Sequence, residues 1–126
     1  MTEQTTSRRQ MIVELFRAID AKDVAGLLGH LAPDATQRFA NGEPLRGHEQ
    51  IGAANAAFFS TIDSLRHEIT ELWEFDDTVI VRISATYTRL DGVAVTVPAV
   101  SIIKEADGLI VEYEVFVDMA PVFATA

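Results

Sequence analysis

The sequence predicts an α+β domain, with helices first and a long antiparallel sheet after them. Three strand-like runs, VIVRISATYT from Val79, VAVTVPAVSIIK from Val93 and LIVEYEVFVD from Leu109, follow one another with short breaks. The breaks fall at Leu90-Asp91-Gly92 and Ala106-Asp107-Gly108, and Asp-Gly between β-branched and aromatic runs is a strong hairpin signal. Ahead of them, apolar residues recur at helical spacing, which supplies cover for one face of the sheet.

Residues 1–7 are expected to form a disordered tail and residues 8–126 one domain. Over residues 8–21, Met11, Ile12, Leu15, Phe16 and Ile19 make the stripe of an amphipathic helix. Asp23 is placed to cap a shorter helix over residues 24–31, with Leu27, Leu28 and Leu31 inward and Pro33 as its stop. Residues 35–39 read as a short strand, and Asn41-Gly42 with Pro44 as a turn. Gly47-His48 opens a third helix over residues 49–62, with Ile51, Ala54, Phe58, Phe59 and Ile62 on its apolar side. Residues 66–75 form the first long strand, and Asp76-Asp77 turns the chain into the three runs above.

Strand alternation assigns faces. Val79, Val81, Ile83, Ala85 and Tyr87 point one way, and Ile80, Arg82, Ser84, Thr86 and Thr88 the other. The second and third runs carry apolar groups on both faces, among them Val100, Ile102 and Phe116, so the sheet needs cover on both sides. Its own helices provide one cover and a second copy of the chain is expected to provide the other, giving a homodimer. A strongly curved sheet can also leave a pocket between itself and a helix, and that is where a ligand would sit.

Composition narrows the function classes. The 126 residues hold ten basic and nineteen acidic side chains, a formal charge of −9, which disfavours nucleic acid because phosphate binding relies on clustered Lys and Arg. With no cysteine there is no disulfide, thiolate metal site or thiol nucleophile. No apolar run approaches the roughly 20 residues of a membrane span, so a soluble cytoplasmic protein with no membrane partner is expected. The three histidines, His30, His48 and His67, are dispersed without a matching carboxylate pattern, so no metal and no cofactor are expected.

The order of elements, with the phrases LLGHLAPDAT, GEPLRGHEQI and DGLIVEYEVFVDMAPV, resembles the SnoaL-like branch of the nuclear-transport-factor-two-like superfamily over residues 8–123. The resemblance implies a cone, in which three N-terminal helices pack on a curved antiparallel sheet with a pocket at the open end. Relatives include ketosteroid isomerases, limonene epoxide hydrolases and polyketide cyclases, so the fold alone does not give the reaction. The isomerase's oxyanion donors and base, a set known for tuned pKa values, correspond to Leu15, Val100 and Phe39 here, none of which moves a proton. The epoxide hydrolase's arginine corresponds to Arg82, but its carboxylates fall on Ser84 and Val115 and its water-holding pair on Gln37 and Phe39. The cyclases need an acid, and Asp118 is the late candidate.

Arg82 is where two readings part. Alternation sends it to solvent beside Glu71 or Glu112. The resemblance sends Arg82, Ser84 and Thr86 into the pocket, where a buried arginine without its carboxylates would need an anion. The expected ligand on the second reading is a small, largely apolar molecule with a carboxylate or similar anion, held by Arg82 with Ser84 and Tyr113. Phe39, Val100, Val115 and Leu15 would wall it. Asp118 and His67 are the candidate catalytic groups, each with a plainer reading: Asp118 as a cap and His67 as an exposed strand-end residue. Three functions follow: a binder of a small apolar molecule, an isomerase, hydrolase or cyclase with a non-standard acid/base set, and an assembly module with a filled interior.

Overall fold

Helix α1 (Arg8–Asp20) begins where the Ser7 hydroxyl accepts the Gln10 amide at 3.1 Å, in a computed structural model that describes residues 7–124. Of the tail expected over residues 1–7, only Ser7 lies among the described residues, and it is this N-cap. Met11, Ile12, Leu15, Phe16 and Ile19 are all buried. Full burial of such a side chain stabilises the fold by about 1.5–3 kcal/mol.

The Asp23 carboxylate accepts the Gly26 amide at 3.0 Å and opens α2 (Val24–Gly29). This helix stops two residues before the expected end, because Leu31 already pairs with Ile110 in the sheet. Pro33 therefore lies inside β1 (Leu31–Phe39) rather than after a helix. It is tolerated there because the ladder shifts register between Leu31 and Thr36, where a missing N–H breaks no pairing.

A two-residue strand, β2 (Leu45–Arg46), leads into α3 (Gly47–Phe59). The Ser60 and Thr61 hydroxyls cap the Ala57 and Phe58 carbonyls at 2.6 Å each and end the helix before Ile62. Ile62 instead starts β3 (Ile62–Phe75), so this strand is longer than expected at its N-terminal end. The meander follows as β4 (Thr78–Arg89), β5 (Ala94–Ala106) and β6 (Leu109–Val117), with a short helix α4 (Ala120–Phe123) behind it. Asp107 and Gly108, with φ of 54° and 83°, make the two-residue turn between β5 and β6 that needs positive φ at both positions.

The six strands form one curved sheet in the order β2-β1-β6-β5-β4-β3. All neighbours are antiparallel except β1 and β6, which run parallel. Together with the N-terminal helices the sheet makes an α+β cone. Its inner face holds Val79, Val81, Ile83, Ala85 and Tyr87, all buried, as alternation along β4 requires. On the outer face Ile80 faces Ile102 and Val100 faces Phe116, and Trp73 flanks Ile80. Trp73 and Phe116 are 41% and 49% exposed there.

Candidate functional site

Between the inner face of the sheet and helices α1 and α3 lies a cavity of about 180 Å³. Its walls are mostly apolar and aromatic. Phe16 comes from α1, Phe58 and Phe59 from α3, Phe39 from β1 and Tyr87 from β4. Phe58 is the hub of this lining: its ring lies 5.6 Å from Phe39, 6.2 Å from Phe59 and 6.0 Å, edge-on, from Tyr87. Such tilted and edge-on contacts are the arrangements aromatic pairs favour.

Into this apolar space β3 delivers an imidazole. Leu65, His67 and Ile69 alternate inward along the strand, which puts His67 against Ala85 of β4 and inside the lining. Its Nδ1 lies 2.6 Å from Asp20 Oδ1, and its backbone N–H donates to Asp20 Oδ2 at 3.0 Å. One carboxylate thus grips both the ring and the main chain of His67. The grip assigns the tautomer of the neutral ring: Nδ1–H donates to Asp20, and Nε2 is left as an acceptor with no partner among the described residues. Phe16 at 5.0 Å and Tyr87 at 6.1 Å hold the ring from its two sides. Asp20 is the last residue of α1, where the helix dipole disfavours a negative charge by about 0.3–1 kcal/mol. The two bonds from His67 offset that cost.

The remaining polar groups in the lining are neutral. Tyr87 and Tyr113 are the chain's two tyrosines, and both face the cavity. Burial, with the Asp20 charge adding to it, pushes the Tyr87 hydroxyl up to about 12. Burial and then the neighbouring Tyr87 raise Tyr113 further, while Ser101 acts against that rise. Both hydroxyls therefore stay protonated and able to donate at neutral pH. Ser101 Oγ is fully buried and, among the described residues, meets no partner in good hydrogen-bond geometry, although it stands close enough to Tyr113 to influence it. Gln37 and Asn55 complete the set, with Asn55 Nδ2 donating to Gln37 Oε1 at 2.8 Å.

The structure divides the residues expected from the sequence. His67, Tyr113, Phe39 and Val115 line the cavity. Arg82 does not: its side chain is 62% exposed and bonded to Glu71 at 2.8 Å. Ser84 and Val100 share that outer face, in register with Pro98 and Arg82. Thr86 is there too, bonded to Thr96. The placement of Arg82 in the pocket is corrected for a physical reason: alternation along β4 buries Val81, Ile83 and Ala85 on the inner face and leaves positions 82, 84 and 86 on the outer one. The arginine that called for an anionic ligand is outside, and no lysine or arginine lines the cavity among the described residues. Leu15 is fully buried in the core without reaching the cavity. Asp118 is exposed and accepts the Ala120 amide at 3.0 Å, so it closes the turn that leads into α4.

The sequence reading missed Asp20, Gln37 as a polar wall, Asn55, Tyr87 as a donor and Ser101. Asp20 was findable, since it follows Phe16 by one helical turn on the buried stripe.

A family model described as SnoaL-like domain matches residues 12–113. Among curated proteins the chain has no match. Among solved structures, an NTF2-like protein of unknown function from Burkholderia pseudomallei is similar at 23% identity, with 90% of this chain and 92% of that one covered and a TM-score of 0.82. TerC, co-crystallised with polyporic acid, is similar at 21% identity, with 90% and 93% covered and a TM-score of 0.82. A putative SnoaL-like polyketide cyclase from Jannaschia sp. follows at 22% identity, with 95% and 94% covered and a TM-score of 0.80. At these identities the likeness establishes the fold and leaves the chemistry to the chain's own residues.

Proposed function

The chain belongs to the SnoaL-like domain family, and on that premise we propose that it binds a small, largely apolar, uncharged molecule in the cone cavity and moves a proton on it through His67. The observation behind this reading is the Asp20–His67 pair opening onto an otherwise apolar, aromatic-lined cavity. A concave apolar space with a few convergent polar groups, a base oriented by a carboxylate among them, is the usual form of a binding or active site. An apolar cavity of roughly 150 Å³ holds benzene. The 180 Å³ here suits one substituted ring rather than a fused polycycle. TerC, with its polyporic acid, supports small-molecule binding in this fold.

In the proposed chemistry His67 Nε2 takes a proton from an acidic C–H or O–H of the ligand. Asp20 stabilises the imidazolium that results and holds the ring in place. Negative charge developing on a ligand oxygen meets the Tyr87 and Tyr113 hydroxyls, whose raised pKa values keep them as donors. The reaction class is proton abstraction beside a carbonyl or phenol, as in an isomerisation or cyclisation.

Incorporation of deuterium into cyclohexanone in heavy water, followed by NMR, tests the step. The wild-type protein should exceed His67→Ala by about 10²-fold or more, the usual worth of a positioned base. Equal rates would remove the proton transfer, and binding measured in parallel would show whether the cavity reading survives alone.

For assembly we propose a homodimer across the outer sheet face, where Ile80, Ile102, Val100 and Phe116 form an apolar strip with Trp73 at its edge. Exposed apolar groups clustered this way mark contact surfaces.

A further inference from the structure

Asn55 and Gln37 are joined by a hydrogen bond whose direction can be worked out from a third group. Asn55 Nδ2 lies 2.8 Å from the Ile51 carbonyl one turn earlier in α3. A backbone carbonyl only accepts, so the atom facing it must be the amide nitrogen. The same nitrogen lies 2.8 Å from the Gln37 amide, and it can meet only the oxygen of that amide. The Gln37 oxygen is thereby turned toward α3 and its NH₂ group away from it. Gln37 is 5% exposed and lines the cavity. The hydrogen bond that Gln37 makes through its side chain among the described residues uses Oε1, which leaves Nε2 free to donate toward the cavity. Gln37 is the register partner of Tyr113 across β1 and β6, and Ser101 stands on β5 beside Val115. This corner of the cavity therefore gathers an amide NH₂ and two hydroxyls that can all donate. Ser101 Oγ, buried and unpartnered, is a second sign that a partner is expected there.

We infer that Asn55 is a positioning residue that sets the polarity of the bound ligand: by fixing the Gln37 amide it reserves this corner for an oxygen that only accepts, such as a ketone, aldehyde or ester carbonyl. The inference rests on the cavity being the ligand site, as proposed above. It narrows that reading from a carbonyl or a phenol to a carbonyl, because a carbonyl held by Gln37 and Tyr113 acidifies the neighbouring C–H that His67 would deprotonate. The ligand's apolar body then packs on Phe58 and Phe16.

Three probes of nearly equal size test this: benzaldehyde, which accepts; phenol, whose stronger role is to donate; and toluene, which does neither. Binding to the full chain is measured by calorimetry. Wild-type protein should favour benzaldehyde over toluene by about three- to tenfold, the range of one net hydrogen bond. Asn55→Asp removes the nitrogen that meets both Ile51 and Gln37; its carboxylate turns off the Ile51 carbonyl and can only accept from Gln37, so the Gln37 amide turns over and the preference should pass to phenol. Gln37→Glu, which keeps the bond from Asn55 and presents an oxygen to the cavity, should give the same reversal. In wild-type protein the Gln37 side-chain NH₂ resonances should shift with benzaldehyde and not with toluene, a readout that needs no variant to fold. If all three probes bind with one affinity in every protein, the cavity reading stands and the polarity inference is overturned. If none binds wild-type protein, both are overturned.

Discussion

Raising the pH above 10 should destabilise this protein through its two tyrosines, and the size of the effect follows from where they sit. Tyr87 is 3% exposed. Its hydroxyl is pushed up to about 12, first by burial and then by the Asp20 carboxylate. A tyrosine in the unfolded chain titrates near 10. Between those two values the folded protein holds a proton that the unfolded chain has released, so stability falls as pH rises through this window. Below pH 10 the contribution is fully present. Two pH units at about 1.4 kcal/mol each give a loss of about 3 kcal/mol from Tyr87. Tyr113 is shifted in the same direction and steepens the fall. The assay is urea unfolding at a series of pH values, paired with tyrosinate absorbance of the folded protein. Because the chain has only two tyrosines, the absorbance reads the cavity alone. Tyr87→Phe should flatten much of the dependence, and Asp20→Asn should lower the remaining Tyr87 titration. Both tyrosines ionising near pH 10 in folded protein, with stability unchanged to pH 12, would refute the burial argument.

Three further outcomes are expected. Ser101→Ala removes a buried hydroxyl that meets no partner, so it should stabilise the ligand-free protein by about 1 kcal/mol, or about 4 °C in Tm for a domain of this size. A loss of that size, measured by calorimetry, would show that its contact with Tyr113 outweighs its desolvation. Asp20→Asn should cost about 1–2 kcal/mol in urea unfolding, because charge-assisted bonds to His67 are lost while the strain with the helix dipole is relieved. Phe116→Glu places a charge in the outer apolar strip, and sedimentation should change from dimer to monomer, with Trp73 emission moving to the red. Wild-type protein sedimenting as a monomer would remove the dimer proposal.

Much of the sheet was legible because alternation is a local property. The assignment of Val79, Val81, Ile83, Ala85 and Tyr87 to the core needed no neighbour beyond the strand itself. The resemblance to distant relatives carried less, since it sent Arg82 and Ser84 inward where alternation along β4 puts them on the outer face. His67 was misjudged because β3 was begun at residue 66, which makes it a strand end. Starting the strand at Ile62 makes it the middle of Leu65-His67-Ile69, with an inward ring. The parallel pairing of β1 with β6 joins residues far apart in the chain and leaves no local trace, so the length of β1 and the place of Pro33 within it were out of reach. The pairing of Asn55 with Gln37 depends in the same way on α3 packing over β1, and no spacing in the sequence announces it.

The measurement to make first is a crystal structure of the protein soaked with benzaldehyde. The predicted result is ring density in the cavity against Phe58, with the aldehyde oxygen in hydrogen-bond reach of Gln37 Nε2 or Tyr113 and His67 Nε2 facing the ligand. An empty cavity, with benzaldehyde found only on the outer sheet face, would contradict the proposed site and leave the fold's interior as core alone.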